Sequence, residues 1–261
     1  QGAKVIFTDE WGVDGRPRCR ALDPLTWGAD AFYDIVDSEL VFRSHYKMSA
    51  PQTDTENCVA HNGSLIPVPG RDIFAQAWYQ GGLSIVDFTD SSNPIEIAFF
   101  DRGPLDEEEL ITAGYWSTYW YRGHIYATEI ARGLDVFSLE ASDYLSESEI
   151  AAASLQDANV TVNAQTQERV TWPAVPVVAR AYIDQLQRDE DVDTLQLQPL
   201  RRLLDKAESL LDDSNSDSGV ANELDGFANS MEDQSSSNIG LQSNRYTSLA
   251  STLRGIAEKL R

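Results

Sequence analysis

Lysine is nearly absent from this chain. Lys4, Lys47, Lys206 and Lys259 stand beside 16 arginines, and these 20 basic residues face 42 acidic ones for a formal charge of −22. Such a surface repels the phosphate backbone, whose recognition needs clustered Lys and Arg, so nucleic acid is excluded as a partner and anionic membrane surfaces with it. Cysteine is as scarce. Cys19 and Cys58 form no CxxC pair, which removes zinc-knuckle and thioredoxin-type chemistry. Two cysteines flanked by loop-forming residues leave two readings open: one disulfide in an oxidising compartment, or two unrelated buried thiols. No run of 18 apolar residues occurs, so no transmembrane helix is expected. No signal-peptide pattern opens the chain, and its start on Gln1 rather than Met reads as a processed or truncated product. Gly-x-Ser-x-Gly, P-loop, GxGxxG and His-Glu-x-x-His motifs are all missing, which leaves nucleophilic hydrolysis and nucleotide binding without support.

What is present divides the chain into unlike halves. All six Trp lie at or before Trp172, and beyond it only Tyr182, Phe227 and Tyr246 are aromatic. Residues 1–140 alternate apolar and polar positions with β-branched and aromatic enrichment, the pattern of strands. Residues 141–172 are polar and Ala-rich and read as a linker with one short helix at 146–154. In residues 173–261, four apolar series recur at i, i+3, i+4, i+7: Val178–Leu186, Leu200–Leu211, Leu224–Met231 and Tyr246–Leu260. Ser/Asn/Asp-rich breaks at 212–219 and 233–244 separate them, so this part is expected to be a small antiparallel α-helical bundle. The fold class is therefore multi-domain β plus α.

The first half repeats itself. An apolar–aromatic strand (Ile6-Phe7, Ile73-Phe74, Ile125-Tyr126) is followed by a turn and then by Gly-x-[Asp/Ser]-h-h-[Asp/Ser], at Gly28–Asp34 (with one residue more), Gly82–Asp87 and Gly133–Ser138. Residues 40–46, 61–68, 94–100 and 115–121 supply further strands. Four strands per repeat at a spacing of about fifty residues is the pattern of β-propeller blades, here about three of them. A β-sandwich of the same hairpins ranks second, because it leaves the recurrence of the Gly motif unexplained.

These residues carry a family resemblance. Gly82-Leu-Ser-Ile-Val-Asp-Phe-Thr-Asp-Ser-Ser-Asn-Pro94 resembles the LVIVD repeat, and His61-Asn-Gly-Ser-Leu-Ile-Pro-Val-Pro-Gly-Arg-Asp72 with Gly114-Tyr-Trp-Ser117 is similar to one branch of these surface propellers. The resemblance covers residues 2–139 and implies an extracytoplasmic protein, secreted, periplasmic or on the cell surface, that binds a protein or carbohydrate surface ligand. Such propellers usually have about seven blades. Three blades leave two apolar faces open, so upstream blades or another chain are expected to complete the ring. The C-terminal helices resemble small modules appended to extracellular bacterial proteins.

In a propeller the innermost strands line an axial channel. His61-Asn62 and Trp116-Ser117 begin such strands, and Glu10 and Glu129 occupy equivalent positions after the second strand. Distantly similar propellers of the selenium-binding and methanethiol oxidase type place metal-binding His near their axis. That makes His61 with a carboxylate the candidate ligand set for a divalent metal, and a metal-dependent enzyme the alternative to a binding module. Arg132 and Arg71 are candidates for a carboxylate ligand, with Glu129 and Asp72 as their expected ion-pair partners. His45 is expected on an outer strand and His124 in a turn. The acidic run 104–110 lacks the spacing of an EF-hand loop and reads as solvated.

Overall fold

The computed structural model describes residues 4–10, 16–155, 170–188 and 197–261. Trp11 and Gly12 of the first repeat, and residues 156–169 of the expected linker, lie outside them. Among the described residues there are ten strands and five helices. Of the described residues, one compact unit holds those within 1–67 and 71–139 together with Val170, and a second holds those within 68–70, 140–156 and 171–261.

The first unit is three antiparallel sheets in chain order. β1 (Lys4–Thr8), β2 (Asp30–Val36) and β3 (Glu39–Tyr46) form the first. β4 (Gly63–Ile66), β5 (Ile73–Ala77), β6 (Leu83–Asp87) and β7 (Ile95–Phe100) form the second, and β8 (Tyr115–Tyr121), β9 (His124–Glu129) and β10 (Gly133–Phe137) the third. Neighbours in each sheet are neighbours in sequence; most connections are short, whereas residues 9–29 separate β1 from β2. Four strands per repeat holds only for the middle sheet; the outer two have three strands each among the described residues. The motif glycines Gly28, Gly82 and Gly133 all take positive φ (58°, 83° and 98°), the backbone state that the turn into β2, β6 and β10 demands.

Alternation along the strands explains the packing. Ile6 and Phe32 on one face of the first sheet join Phe74, Trp78, Val86 and Phe88 of the second in one apolar cluster. Leu83 and Phe100 on the second sheet join Tyr115, Ala127 and Phe137 of the third in another. The residues one step along in register point the other way. Phe7, Leu40 and Phe42 on the first sheet, and Leu134 and Val136 on the third, are exposed.

The third residue of the Gly motif works at these sheet contacts. Ser84 Oγ donates to Glu96 (2.7 Å), which also accepts from Tyr46 Oη (2.6 Å) of the first sheet. Asp135 accepts from Tyr115 Oη (2.7 Å) and Arg102 (2.8 Å). Asp30, the counterpart in the first repeat, is 0% exposed, and among the described residues neither of its carboxyl oxygens has a hydrogen-bond partner. Burial pushes its carboxyl well above the usual carboxylate range. A folded-state pKa above the unfolded one means that stability is highest below about pH 4 for this group and falls as pH rises toward the folded value. Asp30→Asn removes that slope. Urea unfolding at pH 5 and pH 8 should show the variant gaining stability relative to the native protein across the interval; parallel pH profiles would contradict the assignment.

The helical unit contains α1 (Glu147–Ser154), α2 (Pro176–Arg188), α3 (Leu197–Asp212), α4 (Ser218–Ser237) and α5 (Gly240–Lys259). A capping box at Ser146 and Glu149 starts α1, and the buried Glu149 carboxylate also receives Arg188 (2.6 Å). The apolar stripes converge on one core that includes Leu186, Leu200, Leu204, Leu224, Leu249 and Leu253. Asp217 N donates to Leu260 O (2.9 Å), tying the start of α4 to the end of α5 as antiparallel neighbours. The expected break at 233–244 shrinks to Asn238–Ile239. Ser236 and Ser237 hydroxyls bond back to Glu232 O and Asp233 O (both 3.0 Å), and Ser235 reaches Thr247 of α5 (2.7 Å), so serines that suit a loop are accommodated in helix.

Candidate functional site

Four of the candidate residues, Glu10, His61, Asn62 and Trp116, come together through a departure from regular strand geometry. Tyr115 pairs with Glu129 and Ser117 with Thr128, so Trp116 is the extra residue of a β-bulge in β8. A bulge turns one side chain out of the alternation and frees its main-chain groups. The Trp116 side chain emerges 53% exposed. His61, just before β4, meets Trp116 twice: Nδ1 donates to the main-chain Trp116 O, and Nε2 accepts from the indole Nε1 (3.1 Å). A carbonyl only accepts, so a proton sits on Nδ1, while Nε2 stands between the indole N–H and the Glu10 carboxylate.

Glu10, two residues past β1, places Oε1 3.2 Å from His61 Nε2 and accepts there from Tyr79 Oη (2.7 Å). Tyr79 packs its ring edge against the imidazole, with centroids 5.0 Å apart. Asn62 Nδ2 donates to Ser117 Oγ at 3.4 Å alongside. The result is a half-open rim of Glu10, His61, Asn62, Trp116 and Ser117 over a buried Tyr79.

Two backbone features build this corner. Tyr79 adopts φ 54°, uncommon for a residue with a bulky side chain, and exchanges two main-chain hydrogen bonds with Tyr115 (3.1 and 2.9 Å). Gly114 sits against that bridge at φ 92°. A Cβ there would lie 1.9 Å from Tyr79 C and 2.1 Å from Gln80 N. Asn57 supports the same loops, its Oδ1 accepting from Gln80 Nε2 (2.7 Å) and Ala113 N (3.1 Å). Cys19 and Cys58 form a disulfide, Cα to Cα 5.7 Å, three residues upstream of His61.

Glu129 does not join the rim, although its position along its strand matches that of Glu10. Its buried carboxylate accepts from Gly114 N (2.7 Å), Ala131 N (2.8 Å) and Arg132 N, so the turn after β9 consumes it and it positions Gly114 from behind. Arg132 stays with Glu129 (3.7 Å) rather than facing His61. Arg71 pairs with Asp87 (2.5 Å), not Asp72, because Asp72 is taken by Lys4 (3.0 Å). His45 lies on β3, the last strand of its sheet, and His124 opens β9 after the Arg122-Gly123 turn. Tyr79 and the bulge escaped the sequence reading. A bulge changes pairing without changing residue pattern, and the one local sign was the Gly114-Tyr-Trp-Ser phrase itself.

Of the expected metal-binding group, His61 and Glu10 come together with 3.2 Å between Nε2 and Oε1, and both imidazole nitrogens are engaged by Trp116. Among the described residues no three His, Cys, Asp or Glu side chains gather into such a group. Among the described residues no helix is long and apolar enough to cross a membrane. Compared with known proteins, the chain matches no family model, no curated protein and no solved structure.

Proposed function

We propose that the sheet unit is a run of LVIVD-type propeller blades acting as an extracytoplasmic binding module, with the Glu10–His61–Trp116 rim as its recognition face. The blade reading is supported by the recurrence of the motif glycines at positive φ before β2, β6 and β10, and by the exposed apolar faces of the first and third sheets, which further blades would cover. The disulfide is compatible with an oxidising compartment.

The observation that carries the recognition face is Trp116. A large aromatic, half exposed on a bulge and held through both its indole N–H and its carbonyl, is costly to keep for packing and well suited to ligand contact. The full chain probed against glycan and peptide arrays should bind at least one class of ligand, and Trp116→Ala should lose it while costing under about 1 kcal/mol of stability. Binding that is equal in both proteins would overturn the reading. Metal analysis after incubation with Zn²⁺ should give substoichiometric metal that His61→Ala leaves unchanged; a full equivalent that depends on His61 would instead favour the enzyme.

A further inference from the structure

We infer that the ligand of the Trp116 rim is a neutral pyranose ring of a polysaccharide, stacked by its C–H face on the indole. The inference rests on the recognition-face reading and names its ligand class. A stacking surface serves best when it is flat, apolar and already immobile, because binding then costs little side-chain entropy. Trp116 meets all three conditions: its ring edge is fixed by the bond to His61 Nε2, and His61 in turn is fixed by Trp116 O and the Tyr79 ring.

The polar groups beside it suit hydroxyls, which both donate and accept. Glu10 is partly exposed; its Oε1 is engaged by Tyr79, and its Oε2 has no partner among the described residues. Exposed Asn62 presents an amide oxygen, and Ser117 contributes a hydroxyl. A sugar edge with neighbouring hydroxyls can donate to the carboxylate and the amide oxygen while accepting from Ser117. An anionic ring, a uronate or a phosphorylated sugar, would meet Glu10 with no Lys or Arg in the rim to receive it. An ammonium group would find one aromatic face and one carboxylate but no use for the donor, since it only donates. The mixed donor and acceptor set favours the hydroxylated ring.

Titration calorimetry of the full chain with four neutral hexasaccharides, β-1,4-linked and built of glucose, N-acetylglucosamine, mannose or galactose, tests this. At least one should bind. Trp116→Ala should weaken that binding at least tenfold, equal to about 1.4 kcal/mol, and Trp116→Phe, which keeps a ring, should retain most of it. Glu10→Gln should weaken it less than Trp116→Ala. Raising NaCl from about 0.05 to 0.5 M should leave the affinity unchanged, because no charge is neutralised. Failure of all four sugars at millimolar concentration, beside salt-sensitive and Trp116-dependent binding of a Lys-rich peptide, would overturn the pyranose and keep the recognition face. Sugar binding that persists in Trp116→Ala would overturn both.

Discussion

Replacing Cys19 and Cys58 together by alanine should lower the stability of the sheet unit by about 4 kcal/mol, the loop-entropy value for a closed segment of this length. The two residues are 39 apart in sequence, and both are buried in the cluster that joins the first and second sheets. The bond closes a segment that contains the whole of β2 and β3, so without it the unfolded chain regains much freedom while the folded chain loses few contacts. The same segment delivers the chain to Asn57 and His61. Besides the stability loss, the Trp116 indole N–H should therefore exchange with solvent faster. Urea unfolding followed by tryptophan fluorescence reads the sheet unit, since among the described residues it contains four of the five tryptophans. Far-UV circular dichroism at the helical signal should keep its midpoint. A loss below about 1 kcal/mol would mean that the bond constrains little and that the apolar cluster alone sets the stability.

Gly114→Ala should strongly destabilise the sheet unit, costing at least about 3 kcal/mol. Two penalties coincide there. The backbone at φ 92° strains any residue with a Cβ, and that Cβ would penetrate the Tyr79–Gln80 peptide, which is main chain and cannot rotate away. Relief requires breaking the Tyr79–Tyr115 bridge, which would displace Trp116 next to it and separate it from His61. Gly103→Ala provides the control. Its φ of 73° carries the same kind of strain, but nothing lies within 4 Å of its Cβ, so the expected cost is nearer 1 kcal/mol. Equal losses in the two variants would show that strain alone matters and that the close approach is absorbed elsewhere. Loss of ligand binding should follow Gly114→Ala and spare Gly103→Ala.

Much of the architecture was legible in the residues alone, because it depends on short-range patterns. Alternation over five to eight residues is enough to specify a strand, a Gly whose φ must be positive marks a turn, and an i, i+3, i+4 stripe specifies a helix. These signals placed the repeats at Gly28, Gly82 and Gly133 and the helices around Leu200, Leu224 and Leu253. Where a polar side chain can find a partner within its own helix, the pattern misleads, as the serines at 235–237 did by reading as a loop.

The site divides along the same line. Local pattern alone puts His61, Trp116 and Glu10 at strand ends and leaves Cys19 and Cys58 as the two cysteines present. Packing settles that the cysteines are bonded, that Glu10 reaches His61 while Glu129 at the matching position turns into its own loop, and that Trp116 faces outward. The physical reason is range. Strand position follows from neighbours in the chain, whereas a bulge in β8, a strained Tyr79 and a hydrogen bond from residue 61 to residue 116 depend on which sheets pack together.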